Sequence, residues 1–189
     1  MGYGSSSMTE STPHDVVLEF WFGLDPARWW TKDPAFDAEV RSRFADLHAA
    51  IERGEHEGWR ATPRGALAYV IALDQLSRNM FRGEARSFAS DARALEAARD
   101  AVAQGFDAAL PPTERPFLYM PFMHSESLED QERCVALFRA LGSEGQLRFA
   151  EQHRDIVARF GRFPHRNAIL GRDSTPEELE FLTQPGSSF

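Results

Sequence analysis

Phe36, Val40, Phe44, Leu47 and Ile51 recur at steps of four or three, which puts all five on one face of a helix. Asp33-Pro34 opens that helix and Gly54 closes it. The same punctuation runs along the chain. Thr12-Pro13-His14-Asp15 offers an N-cap, a proline at the first helical position and an acid three residues after the cap. Thr62-Pro63 starts a helix through the apolar tract Ala66–Leu73 towards Met80, and an Ala-rich helix runs from about Ser90 to Gln104. Thr113–Met123 forms a further segment that Pro121 is expected to kink or end. Ser127, with Asp130 three residues later, is the expected cap of a helix to Leu141. Another spans about Gln146–Phe160, and Thr175-Pro176-Glu177-Glu178 begins a short last one. No stretch alternates with period two among β-branched residues, so the predicted fold is all-α, with seven to eight helices packed as antiparallel pairs.

A chain of 189 residues suits one domain and is long enough to bury a core without disulfide or metal staples. The expected organisation is a leader over 1–12, a single helical domain over 13–183 and a polar tail over 184–189. Met1–Ser7 has the composition of an expression leader, although Met1-Gly2 with Ser6 formally fits a myristoylation pattern. A formal charge of −8 argues against a nucleic-acid surface. No apolar run approaches the roughly 20 residues of a membrane span. Cys134 is the only cysteine, which excludes a disulfide framework within the chain and fits a reducing, cytoplasmic setting. Of the 21 basic residues only Lys32 is lysine, and it lies in a polar loop, so Schiff-base chemistry is not expected. Every other cationic side chain is a planar guanidinium suited to two-point recognition of an oxyanion.

Three segments carry polar residues that plain solvation explains poorly. In the first, Asp74, Arg78 and Arg82 are successive i, i+4 neighbours directly after the apolar tract. That spacing lets Asp74 pair with Arg78 and leaves Arg82 for another acid or an anion. In the second, His124 and Glu126 follow Phe117–Met123, and an imidazole beside a carboxylate can relay a proton or bind a divalent metal. In the third, His153 falls on the apolar stripe of Leu147, Ala150, Val157 and Phe160, with Arg154 and Asp155 beside it. The loop that follows carries Arg162, His165, Arg166 and Asn167, and residues 161–172 hold three arginines and no acid. Each arginine that turns inward must meet an internal acid or a ligand, because an unpaired buried charge costs several kcal/mol. Glu177-Glu178 reads instead as compensation of a helix dipole.

Taken in order, VLEFWFG (17–23), LDQ through RNMFRG (73–83), FLYMPFMHSE (117–126) with Gln131-Glu132, HRD (153–155), FGRFPHRNAIL (160–170) with Gly171-Arg172, and Thr175-Pro176-Glu177 resemble one known family. It is the domain-of-unknown-function 924 family, and the likeness spans about Val16 to Leu182. The resemblance implies a bacterial protein with an all-helical fold of the tetratricopeptide-like class. It brings no established reaction and no catalytic assignment, although the repeat signature of tetratricopeptide proteins is itself not visible.

Two classes of function follow. In the first, the three segments wall one pocket that binds a small anionic molecule: Arg78, Arg82, Arg162, Arg166 and Asn167 hold it. His124, His153 and His165 are then the proton-transfer candidates, oriented by Asp74, Glu126 and Asp155. Histidine spacing indicates no metal site, and no cofactor is assigned. In the second, a groove between helices holds a peptide, with Phe20-Trp21-Phe22 and Trp29-Trp30 as candidate contact surface. Large aromatics dominate burial, so core is the expected place for all five.

Overall fold

A computed structural model describes residues 12–189, and the leader expected over Met1–Ser7 lies outside the described residues. Among the described residues there are eight α-helices and no strand. They are α1 (Pro13–Phe22), α2 (Pro34–Glu52), α3 (63–80), α4 (Asp91–Ala103), α5 (Arg115–His124), α6 (Leu128–Leu141), α7 (Glu144–Phe160) and α8 (Pro176–Leu182). The third is continuous but not uniform: Pro63–Ile71 and Ser77–Met80 are α-helical, and Ala72–Leu76 between them is a π-helical turn. Among the described residues no helix is long and apolar enough to cross a membrane.

Residues 65–77 of α3 are buried on every side, as expected of a helix apolar all round. It touches α1, α2, α4 and α5, and from α2 to α7 each helix packs on the next. The amphipathic face of α2 meets this core through Phe36, Val40, Phe44 and Ile51, while Leu47 is only partly covered. Phe20 and Trp21 are buried, and Phe22 and Trp29 pack on the core from its edge. Trp30 is 59% exposed and stacks on Phe117, so it alone of the five aromatics faces mainly outward.

Two boundaries differ from the reading of the sequence. Pro121 does not end α5, which continues to His124. Proline removes one backbone bond, but Pro116–Met123 are all buried, and that burial offsets a loss of about 3 kcal/mol. At the start of α6, Ser127 makes no capping bond; its own N–H donates to Ser125 Oγ, and the Ser125 hydroxyl donates to Asp130. Gly161 ends α7 at φ +69°, a conformation that costs a residue with a Cβ, and turns the chain into the 161–172 loop. There Ile156, Val157 and Phe163 form a small second core with Phe160 and Phe181.

Candidate functional site

Contact between α3 and α5 sets the centre of the site. Asp74 sits in the π-helical turn of α3 with no exposure, and its Oδ1 lies 2.6 Å from His124 Nδ1 at the end of α5. Single π-helical turns often mark functional positions, because the inserted residue re-aims the side chains around it. The Gln75 amide donates to the other oxygen at 2.7 Å. Burial alone raises the carboxyl pKa, but the charge and hydrogen bond of His124 hold it below the ordinary carboxylate value. An ionised carboxylate only accepts, so Nδ1 of His124 carries the hydrogen and its Nε2 is left for other partners. The His124 side chain keeps 18% of its surface.

Local spacing misjudges the partner of Arg78. Asp74 is already engaged by His124 and Gln75, and Arg78 instead makes a two-point bond to Asp91 at 2.6 and 2.9 Å. It also donates to the Ser87 carbonyl. Arg166 reaches the same Asp91 carboxylate, at a looser 3.6 Å. Its guanidinium lies over the rings of Phe88 and Phe163, 4.7 and 4.6 Å from their centroids, and is buried. Two arginines therefore share one acid. The Nε of Arg166 is buried with no hydrogen-bond partner among the described residues. Burial, followed by the charge of Arg78, pulls the Arg166 pKa down to about 10.

His153 and His165 border this cation as neutral rings. Burial lowers His153 to about 3, although its Nδ1 donates to the Phe149 carbonyl at 2.7 Å. Burial and then the charge of Arg166 lower His165 to about 4, and its Nδ1 is buried without a partner among the described residues. Phe189 lies against both, with ring centroids 3.7 Å from His153 and 4.6 Å from His165. The segment expected as a polar tail over 184–189 thus has its last side chain packed on the site, and Ser187 within it is buried.

The other predicted residues turn elsewhere. Arg82 is bound at two points by Asp37 on α2. Arg162 is held by Glu178, and Asp155 lies exposed beside Arg154. Glu126 orients no histidine: it binds Arg172 at 2.7 and 2.9 Å and accepts from the Phe163 N–H. Asn167 is buried in the same loop, donating to Ser174 and Glu178 and accepting from Arg172. Two pairs, Arg162–Glu178 and Arg172–Glu126, satisfy the charge of the loop internally apart from that of Arg166. Among the described residues no three His, Cys, Asp or Glu side chains gather as a metal set.

The residues that sequence reasoning missed are Phe88, Asp91, Arg172 and Glu178. Asp91 lies thirteen residues past Arg78, across an irregular connection that carries no helical register. Glu178 is more than a dipole partner: it completes a capping box with Thr175 and is almost wholly buried under Arg162. Surface cavities of about 380 and 170 Å³ lie away from all of this, along α1 and α2 and beside Asp25–Phe36. Glu19, Glu39 and Arg43 line the first, and no residue of the Asp74–Arg166 cluster reaches either. Concavity and convergent polar chemistry therefore point to different places. The cluster has the stronger claim, because it joins buried ionised groups with a buried Arg166 Nε that has no partner among the described residues.

The family model described as bacterial protein of unknown function (DUF924) matches residues 17–186. A solved structure, that of the protein of unknown function ATU0120 from Agrobacterium tumefaciens, is similar to this chain at 43% identity and a TM-score of 0.86. The likeness covers 89% of this chain and 96% of that one. A comparison with curated proteins finds no match. A family match across nearly the whole helical region, joined to a solved structure of the same shape, makes this chain a member of the DUF924 family.

Proposed function

We propose that this protein binds a small anionic molecule at Arg166 and handles a proton through the Asp74–His124 pair. One observation carries the reading: a buried guanidinium makes no hydrogen bond among the described residues, and Arg78 already holds at two points the one acid within ion-pair distance of it there. Folding alone gains little from such a charge, whereas an incoming carboxylate or phosphate would satisfy it with charge-assisted bonds. His124 supports the chemical half, since its Nδ1 is fixed by Asp74 and its ring stays partly exposed. The frame is a tetratricopeptide-like array, a reading supported by the stepwise packing of α2 to α7. A cytoplasmic setting fits the single, buried Cys134.

A stability measurement tests this directly. Arg166→Met keeps the volume and removes the half-paired charge, and Asp91 retains its two bonds to Arg78. The variant is expected to be more stable than the parent by about 1–3 kcal/mol in urea unfolding. It should also lose any rise in Tm that anions give the parent. A loss of 2 kcal/mol or more would mean that Arg166 serves the fold, and the proposal would fall.

Trp30 favours a second reading, in which a peptide docks on the α1–α2 side of the array. It is the exposed anchor there, stacked on Phe117. On this reading Trp30→Ala leaves Tm within about 2 °C, as expected for an exposed side chain, and abolishes peptide capture from a random display library. Unchanged capture, or none by the parent, removes this reading.

A further inference from the structure

Beyond α8 the sequence turns the chain back. Pro185 cannot continue a helix and Gly186 takes φ +78°, so Gln184–Ser187 closes as a turn with proline second and glycine third. The Ser187 N–H donates to the Gln184 carbonyl at 3.4 Å, and its buried hydroxyl donates to the Leu182 carbonyl at 3.2 Å. That turn delivers Phe189 to α7 and the 161–172 loop. The Phe189 ring centroid lies 3.7 Å from that of His153, 4.6 Å from His165 and 5.6 Å from Phe163. Among the described residues, the hydrogen bonds made by 184–189 stay within 181–187, so ring contact holds Phe189 on the cluster. Phe189 is also 49% exposed. A side chain half in water, with no hydrogen bond joining its segment to what it covers, lifts at small cost.

Beneath it the cluster is closed. His153, Phe163 and Arg166 are buried, and Phe163 touches both the Phe189 ring and the Arg166 guanidinium. Neither surface cavity reaches Arg166, so a ligand for it needs a part of the wall that gives way. Arg78 and Asp91 beside it are joined at two points and do not offer one.

We infer that Phe189 is a displaceable cover: seated, it closes the His153–His165 side of the cluster, and lifted, it admits the anion to Arg166. The admission rests on the anion site just proposed, whereas the cover itself rests on the ring contacts. A site that is open part of the time binds with its affinity reduced by the open fraction, so losing the cover tightens binding.

Two measurements on the full chain and its variants test this. The first is the rate at which diethyl pyrocarbonate modifies His153 and His165, read by peptide mass spectrometry. Phe189→Ala, and a chain lacking residues 188–189, should raise both rates by about fivefold or more. Phe189→Tyr keeps the ring and should stay within about twofold of the parent. His48, buried on α2, reports general loosening and should not change. The second is calorimetric titration with phosphate, sulfate and acetate at constant ionic strength. At least one should bind about threefold or more tighter without 188–189. Arg166→Met in the shortened chain should abolish that binding. Unchanged rates at His153 and His165 overturn the cover and leave the anion site standing. A matching rise at His48 overturns it too, since the tail would then brace the whole fold. Equal or weaker binding without 188–189 overturns the control of entry. Uncovered histidines with no Arg166-dependent binding in any chain leave the cover standing and overturn the anion site.

Discussion

Asp74→Ala is expected to lower stability by about 3 kcal/mol, because His124 Nδ1 and the Gln75 amide each lose their acceptor at a buried position. Asn at position 74 keeps one acceptor oxygen and turns an amide towards the other donor. Asp74→Asn should therefore cost about half as much. The carboxylate's folded pKa is depressed, so its stabilising effect is present above the ordinary carboxylate range and is lost as pH falls through the folded value. Urea unfolding at pH 7 of the parent and both variants checks the ranking. Equal stability of all three would show that the 2.6 Å contact with His124 contributes nothing to the fold. It would also remove the ground for treating the pair as a fixed proton relay.

The second large effect is acid lability that begins well above the carboxylate range. His153 is neutral in the fold with a pKa near 3, whereas an unfolded histidine titrates near 6.5. Between those values the unfolded chain takes up a proton that the folded chain does not. Stability therefore falls as pH falls, by up to about 1.4 kcal/mol per pH unit and on the order of 3 kcal/mol by pH 4. His165, lowered to about 4, adds to the same slope with less weight because it keeps more contact with water. His48 is buried too, and its pKa is lowered by burial, partly opposed by Glu52, which shifts stability in the same direction. Burial sets His153 low first, with the Phe149 carbonyl opposing it and the charge of Arg166 adding to it. His153→Phe removes the titrating ring at little cost in shape, against the same Phe163 and Phe189. Unfolding free energies from pH 7 to pH 4 should fall less steeply in that variant than in the parent. Identical slopes would mean that His153 is protonated in the fold.

Both effects, like the reversed sign expected for Arg166→Met, follow from charge and imidazole held where water cannot reach them. Together they describe a protein that accepts a stability cost in one place. Elsewhere its ion pairs are conventional: Arg82 with Asp37, Arg162 with Glu178 and Arg172 with Glu126 each match a guanidinium to a carboxylate at two points. Against that background the looser approach of Arg166 to an acid already taken by Arg78 stands out.

Periodicity, caps and glycine stops were enough to read the helices from the residues alone, because each depends on neighbours within four positions. Phe36, Val40, Phe44 and Ile51 form the buried face of α2 as their spacing requires, and Thr12, Asp33, Thr62 and Thr175 cap the helices they precede. The sequence also singled out the three segments from which Asp74, Arg78, His124 and Arg166 come. It could not pair them. Spacing joined Asp74 to Arg78, yet α3 and α5 bring Asp74 to a histidine fifty residues away, and Arg78 turns to Asp91 across a connection without register. Side-chain partners are chosen by distance in space once helices pack, and that distance is set by the π-helical turn, the uninterrupted course of α5 through Pro121 and the fold of the 161–172 loop. The cost of an unpaired buried charge required each inward arginine to meet an acid or a ligand. Only the tertiary structure decided that Arg166 would find half of one.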